Sequence, residues 1–238
     1  GGTPLQLNAG DLRINGTAIV ASSTADDTAS DITADSSAKA SSAIAIAAAI
    51  NKASAQTGVT ATAAANEIVG TSFTAAASGD YTGASMWVNG TTIALDSLET
   101  LGHTATRSDV ASLINQYTGQ TGVTATDNGR GLTLVAADGR NVSLGTDVTA
   151  ANLGVNSAAI NAGATDATEG KTTYARVVMQ SDKSFTLEGG SDGNANFELL
   201  GFKTGTYGGV DNGVKVAQID ISTQAGAQVA LTALDSAL

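Results

Sequence analysis

The chain has no cysteine among its 238 residues. Secreted globular domains of this size commonly carry disulfides. Their absence points either to a cytosolic protein or to one exported by a route that does not rely on them. Proline occurs once, at Pro4, histidine once, at His103, and tryptophan once, at Trp87, while aromatic residues amount to 4%. One histidine without a cysteine partner cannot form a zinc site, and no serine near it sits in a nucleophile-elbow context. Positive charge is scarce: 11 Lys and Arg stand against 22 Asp and Glu, a net charge of −11. That excludes the basic footprint of a nucleic-acid-binding protein and suits a soluble, self-repelling surface. The apolar run Ala43 to Ile50 is far shorter than the roughly 18 residues of a membrane helix. The apolar fraction of 42% leans on alanine, which buries little area per residue, so thin cores are expected. No signal peptide is visible. The sequence opens at Gly1 without Met and stops inside a helical pattern, so a fragment of a longer protein is expected and missing targeting signals decide nothing.

What is present is a phrase said twice. Thr57-Gly-Val-Thr-Ala-Thr62 recurs 64 positions later as Thr121-Gly-Val-Thr-Ala-Thr126. A helix-like run ending in Ile-Asn precedes each copy, at Asn51 and Asn115. Further back lie Leu12-Arg-Ile-Asn-Gly-Thr17 and Met86-Trp-Val-Asn-Gly-Thr91, which repeat at 74. The first unit therefore carries about ten extra residues, within the small, acidic stretch 22–37. Internal repeats of this kind govern the reading of the whole chain.

Leu5–Leu7 and Leu12–Val20 read as strands. Asn15-Gly16 is a hairpin signal, because a type I′ turn needs positive φ at both central residues. Asn15, Asn89 and Asn141 each also begin a glycosylation sequon; the first two are read as turn residues. Ala21–Ser37 holds Asp26, Asp27, Asp31 and Asp35 but lacks the alternating carboxylates, bend glycine and closing Glu of a calcium loop. A solvated acidic loop is expected there. Ser36 or Ser37 then caps a helix to about Ser54, with Ala43, Ile46, Ala47 and Ile50 as its stripe. In the second unit Thr106-Arg-Ser-Asp109 resembles a capping box. Val110, Leu113, Ile114 and Tyr117 form that stripe, and Gly119 ends it.

The second unit continues as the hairpin Gly131–Val135, Asp138-Gly139, Asn141–Gly145. The first unit lacks this ending locally: Glu67–Val69 and Phe73 begin something that no hairpin follows. The missing hairpin is found in 175–188, and Asn196–Phe202 echoes Asn152–Val155. The expected organisation is α+β, two small modules of hairpin, helix and hairpin, the second inserted in the first. Residues 1–75 and 168–212 make the first module, 76–167 the inserted one, and 213–238 the start of a long helix. Tandem packing, with 175–188 paired to 131–135, is the rival arrangement. In the last segment Ser222 or Thr223 caps a helix whose Ala227, Ala230, Leu231, Leu234 and Leu238 recur at helical spacing, a stripe that calls for partners as in a bundle or coiled coil.

Ala217-Gln-Ile-Asp-Ile-Ser-Thr-Gln-Ala-Gly-Ala-Gln228, followed by Ala233–Leu238, resembles the opening of the C-terminal helical region of bacterial flagellin. The two repeated units, and Ser181-Asp-Lys-Ser-Phe-Thr-Leu187 with Leu200-Gly201, resemble segments of the outer part of flagellins and hook-associated proteins. The resemblance implies a structural subunit of the flagellar filament, exported unfolded by a type III route to the cell exterior. It implies self-assembly with other copies through helices mostly outside this chain, and host immune-receptor contacts, if any, also outside it. A hook–filament junction protein and a surface glycan-binding or adhesive module are the alternatives. For the last, Tyr207 in Gly205-Thr-Tyr-Gly-Gly209 is the better candidate for an exposed ring, since Trp87 reads as core. No nucleophile, base or metal set stands out, so an enzyme is not expected. Neither catalytic nor cofactor-binding nor metal-ligating residues are assigned, and no cofactor, nucleic-acid or membrane partner is expected.

Overall fold

The computed structural model describes residues 5–190, 195–208 and 215–220. The first unit opens with strands β1 (Leu12–Ile14) and β2 (Thr17–Ala18), helices α1 (Ala43–Asn51) and α2 (Ser54–Thr57), and strand β3 (Thr60–Ala63). Strand β4 (Asn66–Val69) follows. The second unit has β5 (Ser85–Val88), β6 (Thr91–Ala94), α3 (Arg107–Asn115), α4 (Thr118–Thr121), β7 (Thr124–Asp127), β8 (Leu132–Ala136), β9 (Val142–Thr146) and α5 (Ala150–Leu153). Two short strands, β10 (Asn161–Ala162) and β11 (Lys171–Thr173), lead back to β12 (Arg176–Ser181), β13 (Phe185–Gly189), α6 (Ala195–Leu199), β14 (Gly205–Tyr207) and β15 (Lys215–Asp220). The protein is α+β.

Strand pairing shows why one unit looked unfinished. In the second unit β8 pairs with β7 and β9 pairs with β5, with Val88 opposite Leu144. In the first, β12 pairs with β3 and β13 pairs with β1, with Ile14 opposite Leu187. The segment 176–189 thus pairs with the first unit, and its neighbours do not include β8. Neither β8–β9 nor β12–β13 is the hairpin expected from the sequence: the two strands of each segment do not pair with each other but join different small sheets. The third strands correspond as well: β4 lies antiparallel on β8 as β15 lies antiparallel on β12. Even the closing turns agree. Val155 N–H donates to Ala150 O, and Phe202 N–H donates to Phe197 O, each around a glycine with positive φ.

Two hydrophobic clusters follow this division. One gathers Leu7, Leu12, Ile14, Ile46, Ile50 and Val59 with Val177, Met179, Phe185, Leu187, Phe197 and Phe202. The other gathers Met86, Val88, Ile93, Val110, Ile114, Val123, Leu132, Leu134 and Leu144, and it includes Ile68, with Phe73 against it. The chain therefore crosses between modules at 64–65 and at 174, not at 75/76 and 167/168. The shift has a simple cause: β4 takes its backbone hydrogen bonds from β8, and β11 takes its own from β9.

Several local expectations need correction. Leu5–Leu7 forms no strand, although Leu7 is fully buried. Helix α1 is capped by Ser42, whose Oγ accepts from Ala45 N–H at 3.1 Å, rather than by Ser36 or Ser37. It stops at Asn51 because the Asn51 side chain turns to bond Ala61. In the second unit the left-handed glycine is Gly122, after α4, and Gly119 lies inside that helix. The capping box does form: Thr106 N–H donates to Asp109 Oδ2 and Asp109 N–H to Thr106 Oγ1. Segment 213–238 does not begin as helix, since Lys215–Asp220 is strand β15; the helix from Ser222 onward lies outside the described residues.

Candidate functional site

The asparagines that the chain repeats are hydrogen-bonded within the fold. Asn15 and Asn89 have φ of 51° and 47°, followed by Gly16 and Gly90, also positive. This is the backbone of a tight hairpin turn. Each asparagine amide then bridges two distant segments. Asn15 Nδ2 donates to Thr57 O at 2.8 Å while Thr186 N–H donates to its Oδ1 at 2.9 Å. Asn89 Nδ2 donates to Thr121 O at 2.8 Å while Ser143 N–H donates to its Oδ1 at 2.8 Å. The repeated phrase supplies the acceptor, Thr57 or Thr121, and strand β13 or β9 supplies the donor, Thr186 or Ser143. The helix-ending Asn51 and Asn115 do likewise with Ala61 and Ala125, each donating at 2.8 Å and accepting at 2.7 Å. These amides are committed within the fold. So is Asn141, which is fully buried and donates to Ala38 O. All three sequon asparagines are thus structural.

The acidic stretch 21–37 is the main departure from expectation. It is a clasp laid against the inserted module, and not a solvated loop. Asp27 is 1% exposed and Ala34 0% exposed. Ser30 Oγ accepts from Asn141 N–H at 2.9 Å, Ser36 Oγ donates to Gly170 O at 2.7 Å, and Asp35 N–H donates to Thr168 O at 2.9 Å. Tyr174 closes the far side, its hydroxyl donating to Ser36 O and accepting from Ala38 N–H. At Gly90 an added Cβ would sit 2.6 Å from Thr33 Oγ1, so the clasp also covers the Asn89–Gly90 turn. Asp26 pairs with Lys52 Nζ at 2.6 Å. Burial opposes ionisation of Asp27, but the Ser30 hydroxyl and N–H, the Ser42 hydroxyl and the Ala29 N–H outweigh it and hold its carboxyl below the ordinary value. One signal for the clasp was in the sequence: ten residues found in one unit alone serve something the other unit does not need.

Among the described residues, the inserted module carries grooves of which two stand near its carboxylates. One, about 600 Å³, runs between Asp80 and the segment Asp147–Asn152. The other, about 270 Å³, is bordered by Ala76–Ser78, Tyr81, Glu99 and His103. Their carboxylates are occupied with backbone donors. Asp80 accepts from Ala77 N–H, Asp147 from Ser85 N–H, and Glu99 from both Gly79 and Tyr81 N–H. His103 is exposed and pairs with Asp109 Oδ2 at 3.2 Å beside the capping box. Trp87 is 8% exposed, in the core. Tyr207, expected as an exposed ring, is half-buried; its ring lies 5.9 Å from that of Phe185 and its hydroxyl donates to Lys203 O. Among the described residues no three His, Cys, Asp or Glu side chains gather as a metal site, and no helix is long and apolar enough to cross a membrane. No family model matches the chain, and no curated protein is similar to it.

Proposed function

We propose that this chain is the outer, solvent-exposed part of a structural subunit of the bacterial flagellar filament, secreted through the type III route. The observation that carries the reading is the sequence Ala217–Gln228 with Ala233–Leu238, which resembles the start of the flagellin C-terminal helical region, standing behind two repeated outer-type units. The architecture supports it. Leu7 and β15 both belong to the first module, so the inserted module is carried away from both. A subunit whose flanking segments build a filament core needs that arrangement. The repeated polar side chains hold backbone, and the grooves' carboxylates cap backbone, which suits a scaffold better than a site of chemistry. The acidic surface limits unspecific association between neighbouring copies. In the filament, copies join through helices mostly outside this chain.

Immunogold electron microscopy of intact cells, with antibody raised against this chain, tests the reading. Gold along whole filaments is the expected result. Gold confined to the hook–filament junction would instead make it a junction protein. Gold on the cell body with bare filaments would favour an adhesive module and remove the filament reading.

A further inference from the structure

Among the described residues asparagine stands directly before glycine at 15–16, 89–90 and 128–129. Asparagine is a chemically labile side chain, and a following glycine, with no Cβ, lets the next backbone nitrogen approach its amide carbon. The fold closes two of these routes. Asn89 is 7% exposed, and Thr33 Oγ1 and Asp31 Oδ1 lie 2.6 and 2.8 Å from a Cβ placed on Gly90. At 128–129 the attacking group is taken: Gly129 N–H donates to Asp127 Oδ1 at 2.8 Å. Asn128 Oδ1 is also held, by the N–H groups of Arg130 and Gly131. Asn15 and Gly16 are both exposed, and nothing lies within 4 Å of a Cβ added at Gly16. A local opening of this surface turn releases the bonds to Thr57 O and Thr186 N–H without moving the clasp.

We propose that Asn15 is a site of spontaneous deamidation in the folded chain, whereas Asn89 and Asn128 are protected by it. Hydroxide takes the Gly16 amide proton, and the Gly16 nitrogen bonds to Asn15 Cγ. The Cγ–Nδ2 bond breaks, and the side-chain nitrogen leaves as ammonia with a proton from water. A second water opens the cyclic imide at either carbonyl, giving aspartate or isoaspartate at position 15. One water is consumed and one ammonia released, with no change of oxidation state. The product still accepts from Thr186 N–H but has nothing to donate to Thr57 O, and its charge faces that carbonyl. The isoaspartate form also lengthens the main chain within a turn whose geometry is strict. The first module thus carries a chemically ageing turn that its copy in the second module lacks. This goes beyond the filament reading and does not depend on it.

Incubation of the full chain in mildly alkaline heavy-oxygen water, followed by peptide mapping by mass spectrometry, tests it. The label marks each converted asparagine, and chromatography separates the aspartate and isoaspartate forms. In the folded chain Asn15 should convert about tenfold or more faster than Asn89 or Asn128, since they open less often. In urea the three rates should converge, because the dipeptide is the same. Asp127→Ala provides a second arm at an exposed position, giving up only a surface ion pair with Arg107. It frees Gly129 N–H and should raise the rate at Asn128 severalfold while leaving Asn15 unchanged. Equal rates at the three sites in the folded chain, conversion of Asn15 in urea alone, or no effect of Asp127→Ala on Asn128 would each overturn the proposal.

Discussion

Asn15 and Asn89 occupy equivalent turns and make equivalent bonds, yet the same substitution affects them unequally. The reason is the clasp. Asn89 is 7% exposed, with Thr33 and Asp31 lying over the adjacent Gly90. Asn15 is exposed, and its turn has nothing within reach of a Cβ added at Gly16. Alanine at position 89 orphans Ser143 N–H and Thr121 C=O out of reach of water, at about 1–3 kcal/mol for each group. It also places a residue with a poor left-handed preference at a positive φ, for about 1 kcal/mol more. The total is roughly 3–7 kcal/mol. At position 15 water replaces most of what the amide did, and the left-handed term dominates, leaving roughly 1–2 kcal/mol. Equilibrium urea unfolding followed by far-ultraviolet circular dichroism measures both variants. Trp87, the sole tryptophan, lies on β5 of the second module and reports it separately by fluorescence. Asn89→Ala should lower the midpoint far more than Asn15→Ala, and the Trp87 transition should carry that loss. Equal losses, or less than about 1 kcal/mol at position 89, would refute the account of the turn and of its cover.

Further outcomes follow from other contacts. Gly70→Ala would place a Cβ 2.0 Å from the backbone oxygen of Gly154, where the chain enters the second module, and should lower Tm by several degrees, about 5 °C or more, in a thermal scan. Tyr81 and Tyr174 are pushed up to about 12, chiefly by burial. The unfolded phenols therefore release protons first, and stability should fall as pH rises from 10 toward 12, with the late phenolate absorbance appearing only on unfolding. Asp27 has its carboxyl held below the usual range, so its contribution is present above the unfolded value near 3.8 and is lost as pH falls through the lower folded value. Acid unfolding of Asp27→Asn should lack that part of the pH dependence. Tyr174→Phe removes the bonds to Ser36 O and Ala38 N–H and should cost about 1–2 kcal/mol in urea unfolding.

The repeat was legible because its determinants are local and chemically strict. Only a few residues accept positive φ before a glycine, so Asn15-Gly16 and Asn89-Gly90 declared their turns. Leu132/Leu134 and Val177/Met179 alternate because one face of each strand is core. The correspondence of Leu144 with Leu187 could be counted off the sequence, and the pairing of β9 with β5 and β13 with β1 carries the same correspondence in register. What escaped was decided between segments far apart. Asp27 is a surface residue by composition, and only its encounter with Ser30 and Ser42 buries it. Ser36 looked like a helix cap because its true partners, Gly170 and Thr172, lie more than a hundred residues away. Glu67–Val69 read as an unfinished element since a lone strand does not name the sheet it will join. Tyr207 sits among glycines and reads as exposed, but Phe185 is opposite it in the sheet. The grooves were not legible at all, because they arise from the meeting of loops.

The chain leaves the first module after Ala63 and returns at Arg176, and Ala63 lies directly opposite Val177. The two cut ends of the inserted module are therefore neighbours across one antiparallel strand pair, about 5 Å apart. In the second module the equivalent strands, β7 and β8, are joined by the short turn Asn128–Gly131. A turn of that kind between Ala63 and Arg176 would close the first module without its passenger. The inserted module is then a removable cassette, and a chain built this way can shorten or lengthen by a whole folded unit while the strands on either side keep their register.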